Sequence, residues 1–223
     1  MSEPANAIRA DTMRIDIAAD VVCPWCVIGF RQLERALKDT GTNAEIRWFP
    51  FVLTPEVPDK GKSLKKHLKS KSGMSNKDIR ESLDRITRIG AEVGFTFNYF
   101  DDIKMVNTSR AHQLLCWAET QGKRHELHTA LTEGYFTRHK DLNMNDVMAE
   151  IAESVGLDAD EALAVLADGR FEDEVRGKQF LWEKRGIQGL PAMIFNKKYL
   201  VAGAQGVEGY ASLLNEFAQE SAT

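Results

Sequence analysis

Two cysteines, Cys23 and Cys26, flank Pro24 and Trp25. A sulfur pair at that spacing can exchange disulfides, bind a metal or form a structural bridge. On the first turn of a helix, positions three apart share a face, so the sulfurs come within disulfide reach without backbone movement. With Cys23 as N-cap, Pro24 falls at the first helical position, where its missing N–H costs nothing. The N–H groups of Trp25 and Cys26 are then expected to point back at the Cys23 sulfur, and together with the helix dipole to favour thiolate over thiol. Cys23 is thus the predicted nucleophile, exposed at the helix start. Cys26, one turn further in, is the predicted resolving thiol. Trp25 is expected to stand exposed at the mouth of the site.

The other uses fit less well. Zinc usually takes four ligands, and the chain has no second C-x-x-C and no close histidine pair beyond His125 and His128, so no metal is expected. A loop this short gains little chain entropy from a structural bridge. The start of a helix is also a poor place to bury two inert thiols. Cys116, between Leu115 and Trp117, is expected to pack as a small core residue.

The elements that must hold this pair can be read around it. Met13 to Val22 alternates and then turns apolar, as a strand entering a core does. Val27, Phe30, Leu33 and Leu37 line one face of a helix that begins at Pro24 and stops at Gly41. Ala44 to Phe51 reads as a second strand, ended by Pro50 and the loop Pro55 to Pro58. From Ser63 to about Gly169 apolar residues recur every three or four positions and strand signals nearly vanish. Helices are predicted there from Ser75 to Gly94, from Asn107-Thr108-Ser109 to Gly122, around Leu127 and Leu131, from Asn143 or Asn145 to Gly156, and from Asp158 to Gly169. Another helix, Phe171 to Arg185, leads to Leu190-Pro191. Two strands follow, Ala192 to Phe195 and Tyr199 to Ala202, joined at Asn196-Lys197, and then a last helix, Val207 to Phe217. The fold class is α/β, in the order β-α-β, an all-helical insertion, then α-β-β-α. Its expected parts are 13–58, 59–170 and 171–219.

Composition narrows the function. The 43% hydrophobic content suffices for a core in 223 residues, and 29 Lys plus Arg against 33 Asp plus Glu argues against nucleic acid as the main partner. Met1 to Thr12 is polar rather than a signal peptide, and no segment approaches a membrane span of about 20 apolar residues. A cytoplasmic protein is expected. In that reducing compartment a C-x-x-C pair is more often catalytic or metal-binding than structural.

Together, Asp20-Val21-Val22-Cys23-Pro24-Trp25-Cys26, Phe49-Pro50-Phe51, Asn107-Thr108, Ala111-His112, Gly189-Leu190-Pro191 and Gly203-Ala204-Gln205 resemble the DsbA-like thioredoxin-fold family, and within it the FrnE-type subgroup. The likeness spans nearly the whole chain. It implies a thioredoxin fold with a large inserted helical subdomain and thiol-disulfide exchange through Cys23 and Cys26. It also implies a cis Leu190–Pro191 bond, with a loop that packs on the cysteines and aligns the substrate main chain. A related branch, similar to 2-hydroxychromene-2-carboxylate isomerase and kappa-class glutathione transferases, carries serine where this chain has Cys23. Serine orients a glutathione thiolate but cannot exchange with a disulfide. The alternative reading is therefore a glutathione-dependent isomerase or transferase acting on an aromatic compound. A third is a non-catalytic module that docks through its helical insertion.

No cofactor is implied beyond glutathione as a co-substrate. The expected partners are a disulfide-bearing protein or a small thiol such as glutathione, and the protein is expected to be a monomer or homodimer. Asp20 is a candidate to pass protons to and from Cys26. Trp25, Phe49 and Phe51 are candidates for an apolar groove beside Cys23, and Asn107 is a further substrate-binding candidate. His112 is expected to be structural. Lys60, Lys62, Lys65, Lys66, Lys69 and Lys71 are expected to form a solvated face, with Leu64 and Leu68 as its apolar side.

Overall fold

In a computed structural model, which describes residues 12–58, 60–99 and 103–221, the alternating segment after Thr12 forms strand β1 (Met13–Ala19). The polar stretch before it lies outside the described residues. β1 stops three residues short of Val22 because the chain turns, with the Cys23 N–H donating to the Asp20 carbonyl (3.1 Å). That turn launches α1 (Pro24–Thr40), which ends on Gly41 at φ 66°, where the Gly41 N–H caps the last carbonyls. β2 (Ala44–Pro50) then pairs parallel to β1, with Ile17 opposite Trp48 and Ala18 opposite Phe49.

The helical block follows. It comprises α2 (Leu64–Ser72), α3 (Asn76–Glu92), α4 (Ser109–Thr120), α5 (Arg124–Phe136), α6 (Asn145–Ser154) and α7 (Ala159–Asp168). A two-stranded ribbon, β3 (Lys62–Ser63) with β4 (Lys104–Met105), staples its first part. These strands are two residues long, too short for an alternation to register in the sequence. Ser75 caps α3 in a full capping box with Asp78, and Asp158 caps α7. α6 differs from expectation: its N-cap is Met144, with no side-chain cap bond. Asn143 instead donates to Asp141, and Asn145 accepts from Arg110.

The chain returns through α8 (Glu172–Glu183), the hairpin β5 (Ala192–Phe195) and β6 (Tyr199–Ala202), and α9 (Val207–Ser221). At the hairpin, Asn196 and Lys197 both take positive φ, as a tight two-residue turn between twisted strands requires. The sheet order is β2-β1-β5-β6, with β5 antiparallel to both neighbours. This is the thioredoxin-like arrangement that the resemblance implied.

Strand alternation divides the packing. Ile15, Ile17 and Trp48 face α1 and α9, where they meet Leu33, Tyr210 and Leu214. Ala18, Phe51 and Ile194 face the other way, beneath Trp182 of α8. A separate core fills the helical block around Leu114, Leu127, Leu131 and Met148, and it takes in Val21, Val27 and Ile28. The β1–α1 junction is therefore wedged between two cores, with one set of side chains in each. No described helix is long and apolar enough to cross a membrane.

Candidate active site

Cys23 is the N-cap of α1 and Pro24 its first residue, as the spacing predicts. The thiols of Cys23 and Cys26 are near enough to act on one another's ionisation, and both are free. Two expectations need correction. First, the Cys23 side chain makes no cap hydrogen bond. The Cys26 N–H donates to the Cys23 carbonyl (3.1 Å) instead, because the first helical turn closes on main chain. Second, the pair is not exposed: Cys23 keeps 4% of its surface and Cys26 2%. The sheet core takes up both cysteines, and the helical block closes over them. Phe95, His128, Thr129 and Thr132 share a small recess with Cys26. Burial is the main force that holds the Cys26 thiol well above its ordinary pKa, with the hydrogen bond to Cys23 acting the same way.

Trp25 is only half-buried, but it is not a free flap. It packs against both cores, and the Arg85 guanidinium of α3 lies 5.9 Å from its ring centroid. Pro24 and Trp25 border a cavity of about 270 Å³. Its walls include Leu53, Leu64, Leu68 and Leu83. The lysine stretch thus presents its apolar side to this cavity, while Lys60, Lys62, Lys65, Lys66 and Lys69 are exposed. The side chain of Lys71 lies outside the described ones. Phe49 and Phe51 do not join Trp25 in a groove. Their strand parity turns them to the opposite sheet face, where Phe49 packs tilted against Trp182 with ring centroids 5.4 Å apart.

The Leu190–Pro191 bond is cis. Pro191 packs on α1 at Gly29, where an added Cβ would sit 2.9 Å from the Pro191 Cγ. The Pro191 carbonyl accepts from the Gly203 N–H (2.7 Å), which ties the loop to the end of β6. Leu190 packs against the cluster that contains both cysteines.

Asp20 lies in the turn between β1 and α1 and is wholly buried. Its Oδ2 accepts from the Leu53 N–H (2.8 Å) and the Thr108 hydroxyl (3.0 Å). Its Oδ1 faces the His112 Nε2 at 3.5 Å. Sequence reasoning missed this grouping, although one signal was available: Thr108 and His112 are four apart on one helix face. Leu53 contributes through its main chain, which no side-chain pattern reveals. Asn107 is placed elsewhere, donating to the Pro55 carbonyl and accepting from the Ser109 N–H, so it ties the 51–58 loop to the start of α4. Cys116 is buried beside Val52 and Val175, and its thiol is pushed up in pKa mainly by that burial.

A buried dithiol on a helix start, a proline loop against the same helix and a carboxylate beneath it suit sulfur exchange within a protein interior. The chain matches the DSBA-like thioredoxin domain over residues 14–215 and belongs to that family. A relative, the uncharacterized protein YwbO of Bacillus subtilis, is 24% identical over 92% of this chain and 97% of its own. Among solved structures, the probable DsbA oxidoreductase SCO1869 from Streptomyces coelicolor is 30% identical with a TM-score of 0.87, over 93% of this chain and 90% of that one. A 2-hydroxychromene-2-carboxylate isomerase shares the fold at 16% identity and TM-score 0.67, over 94% of this chain and 98% of that one. The cytosolic disulfide reductase DsbM from Pseudomonas aeruginosa, solved with GSH, does so at 13% and 0.63, over 92% and 99%.

Proposed function

We propose that this protein is a thiol-disulfide oxidoreductase in which Cys23 attacks a substrate disulfide and Cys26 resolves the mixed disulfide. The observation that carries the reading is the pair itself: two free thiols three residues apart at the start of α1, each influencing the other. That geometry lets a thiolate at Cys26 displace a sulfur from Cys23 with little movement of the backbone. Leu190 and Pro191 align the main chain of the substrate beside the pair, and Asp20 takes the proton that Cys26 sheds. Neither step calls for a metal or an organic cofactor. The substrate is a disulfide-bearing protein or a small disulfide such as that of glutathione. The likeness to SCO1869 supports this class of chemistry, and the GSH-bound DsbM supports a thiol co-substrate in this fold. In a cytoplasm poised at roughly −220 to −320 mV such a pair stays reduced, so the work is reductive or isomerising rather than oxidative.

A second reading, a glutathione-dependent isomerase or transferase of aromatic compounds, draws on the isomerase neighbour and on the apolar cavity beside Trp25. Cys26→Ser separates the two. Under the exchange reading, turnover of a disulfide collapses while a mixed disulfide accumulates on Cys23, visible as added mass. Isomerisation that survives in this variant, with no trapped adduct, would transfer the assignment to the second reading.

A further inference from the structure

A buried polar atom without a partner is uncommon in a folded protein and calls for a reason. Asp20 Oδ1 and both ring nitrogens of His112 are such atoms, and the Nε2 of His112 lies 3.5 Å from Oδ1. Asp20 keeps none of its surface and His112 1%. A charged carboxylate sealed in this way is costly unless something offsets it, and two hydrogen bonds to Oδ2 leave Oδ1 with only the imidazole. A proton received from a neighbouring group and shared between the two side chains makes the pair neutral as a unit, whether it comes to rest on Oδ1 or on Nε2.

The pair also has a neighbour whose proton must move. Asp20 acts on the Cys26 thiol from the turn before α1: its main chain favours the thiolate and its carboxylate charge disfavours it. Two titratable groups coupled to the pair come from α5: the His128 imidazole, which shares charge repulsion with His112, and the Tyr135 hydroxyl, which responds to Asp20. Both remain neutral at ordinary pH, since burial lowers the pKa of the histidine and raises that of the tyrosine. His112 is therefore the member of this group placed to answer a change of charge on Asp20.

We propose that His112 is the positioning partner of Asp20, and that the two buried side chains together hold the proton that Cys26 releases. The idea rests on the exchange function proposed above. In the resolving step the Cys26 thiol gives its proton to the Asp20–His112 pair, and its sulfur attacks Cys23 within the mixed disulfide. The Cys23–substrate S–S bond breaks as the Cys23–Cys26 bond forms, and the departing thiolate takes a proton from solvent. Across both steps the protein dithiol loses two electrons and the substrate disulfide becomes two thiols. When the protein is reduced again, the stored proton returns to Cys26.

The test is a single-turnover measurement with glutathione disulfide, which separates formation of the Cys23 adduct from its resolution by Cys26. His112→Gln keeps bulk and hydrogen-bonding capacity but cannot accept a proton at neutral pH. Resolution is expected to slow about tenfold and its pH profile to approach that of Asp20→Asn, while adduct formation changes less than about twofold. The double variant is expected to be no slower than Asp20→Asn, because the residues act as one unit. Unaltered resolution with an unaltered profile in His112→Gln, or losses that multiply in the double variant, would overturn the proposal. If the variants do not fold, the imidazole nitrogen shifts of His112 in the intact reduced protein decide it. They are expected to move with the Cys26 thiol titration, and independence from it would overturn the proposal. Absence of any adduct in the wild-type protein would count against the exchange function itself, a separate result.

Discussion

At the scale of single residues, the site depends on close approach. Gly29 lets the Pro191 ring sit against α1, and a Cβ there would also come within 3.4 Å of the Tyr210 hydroxyl. Neither neighbour can yield easily, since the Pro191 loop is tied to Gly203 and Tyr210 is fully buried. Gly29→Ala is expected to cost about 1–3 kcal/mol of stability through overpacking. It should also lower disulfide turnover in the folded fraction, as read by insulin reduction alongside a denaturant titration. Full turnover with a displaced loop would show that the loop's position is not limiting. Cys23, Cys26 and Pro191 stand out in a sequence because their types and spacings are rare. Gly29 does not, because its meaning lies in a partner more than 150 residues away. Phe49 and Phe51 show the opposite failure: their types suit a groove, but strand parity, legible from Ile46 and Trp48, points them to the other face.

At the scale of elements, most helices announced themselves through periodicity, capping residues and terminal glycines. Those of the insertion from Ser75 onward fell close to where three-and-four spacing put them, whereas α2, with only Leu64 and Leu68 as its apolar side, was not among them. The errors came where a cap is made by something other than a side chain, as at Met144, and where a strand is two residues long. α3 shows what a good local signal contributes. Its capping box satisfies the Asp78 and Ser75 N–H groups reciprocally, at 3.2 and 2.9 Å, and its far side carries Arg85 to the Trp25 ring. Ser75→Ala is expected to destabilise the protein by about 1 kcal/mol. The urea midpoint should fall with an unchanged slope. A change in slope instead would mean that α3 unfolds separately from the remainder.

At the scale of the whole molecule, the interior sets the acid limit. His128 is buried, stacked on Trp48 at 4.1 Å, and its pKa is held well below the usual 6.5, first by burial and then by the nearby His112 charge. The unfolded chain therefore binds a proton at this site more readily than the native one. Above the unfolded value of about 6.5 the histidine is neutral in both states and costs nothing. Below it the unfolded state gains protons first and stability falls, until the native pKa is passed. His128→Gln is expected to flatten the loss of stability between about pH 6.5 and the native value, as thermal unfolding across that range would register. An equally steep loss in the variant would place the acid sensitivity elsewhere.

The central strand β1 pairs with β5 across almost the full length of the chain, and the main chain of Arg14 bonds to the Asn196 side chain. Translation at about 5–20 residues per second separates the emergence of Cys26 from that of Pro191 and Tyr210 by roughly ten seconds or more. For that interval the nascent chain carries its two thiols without the loop and the C-terminal helix that later confine them. In that interval a small disulfide meets the sulfurs before the rest of the fold has closed around them.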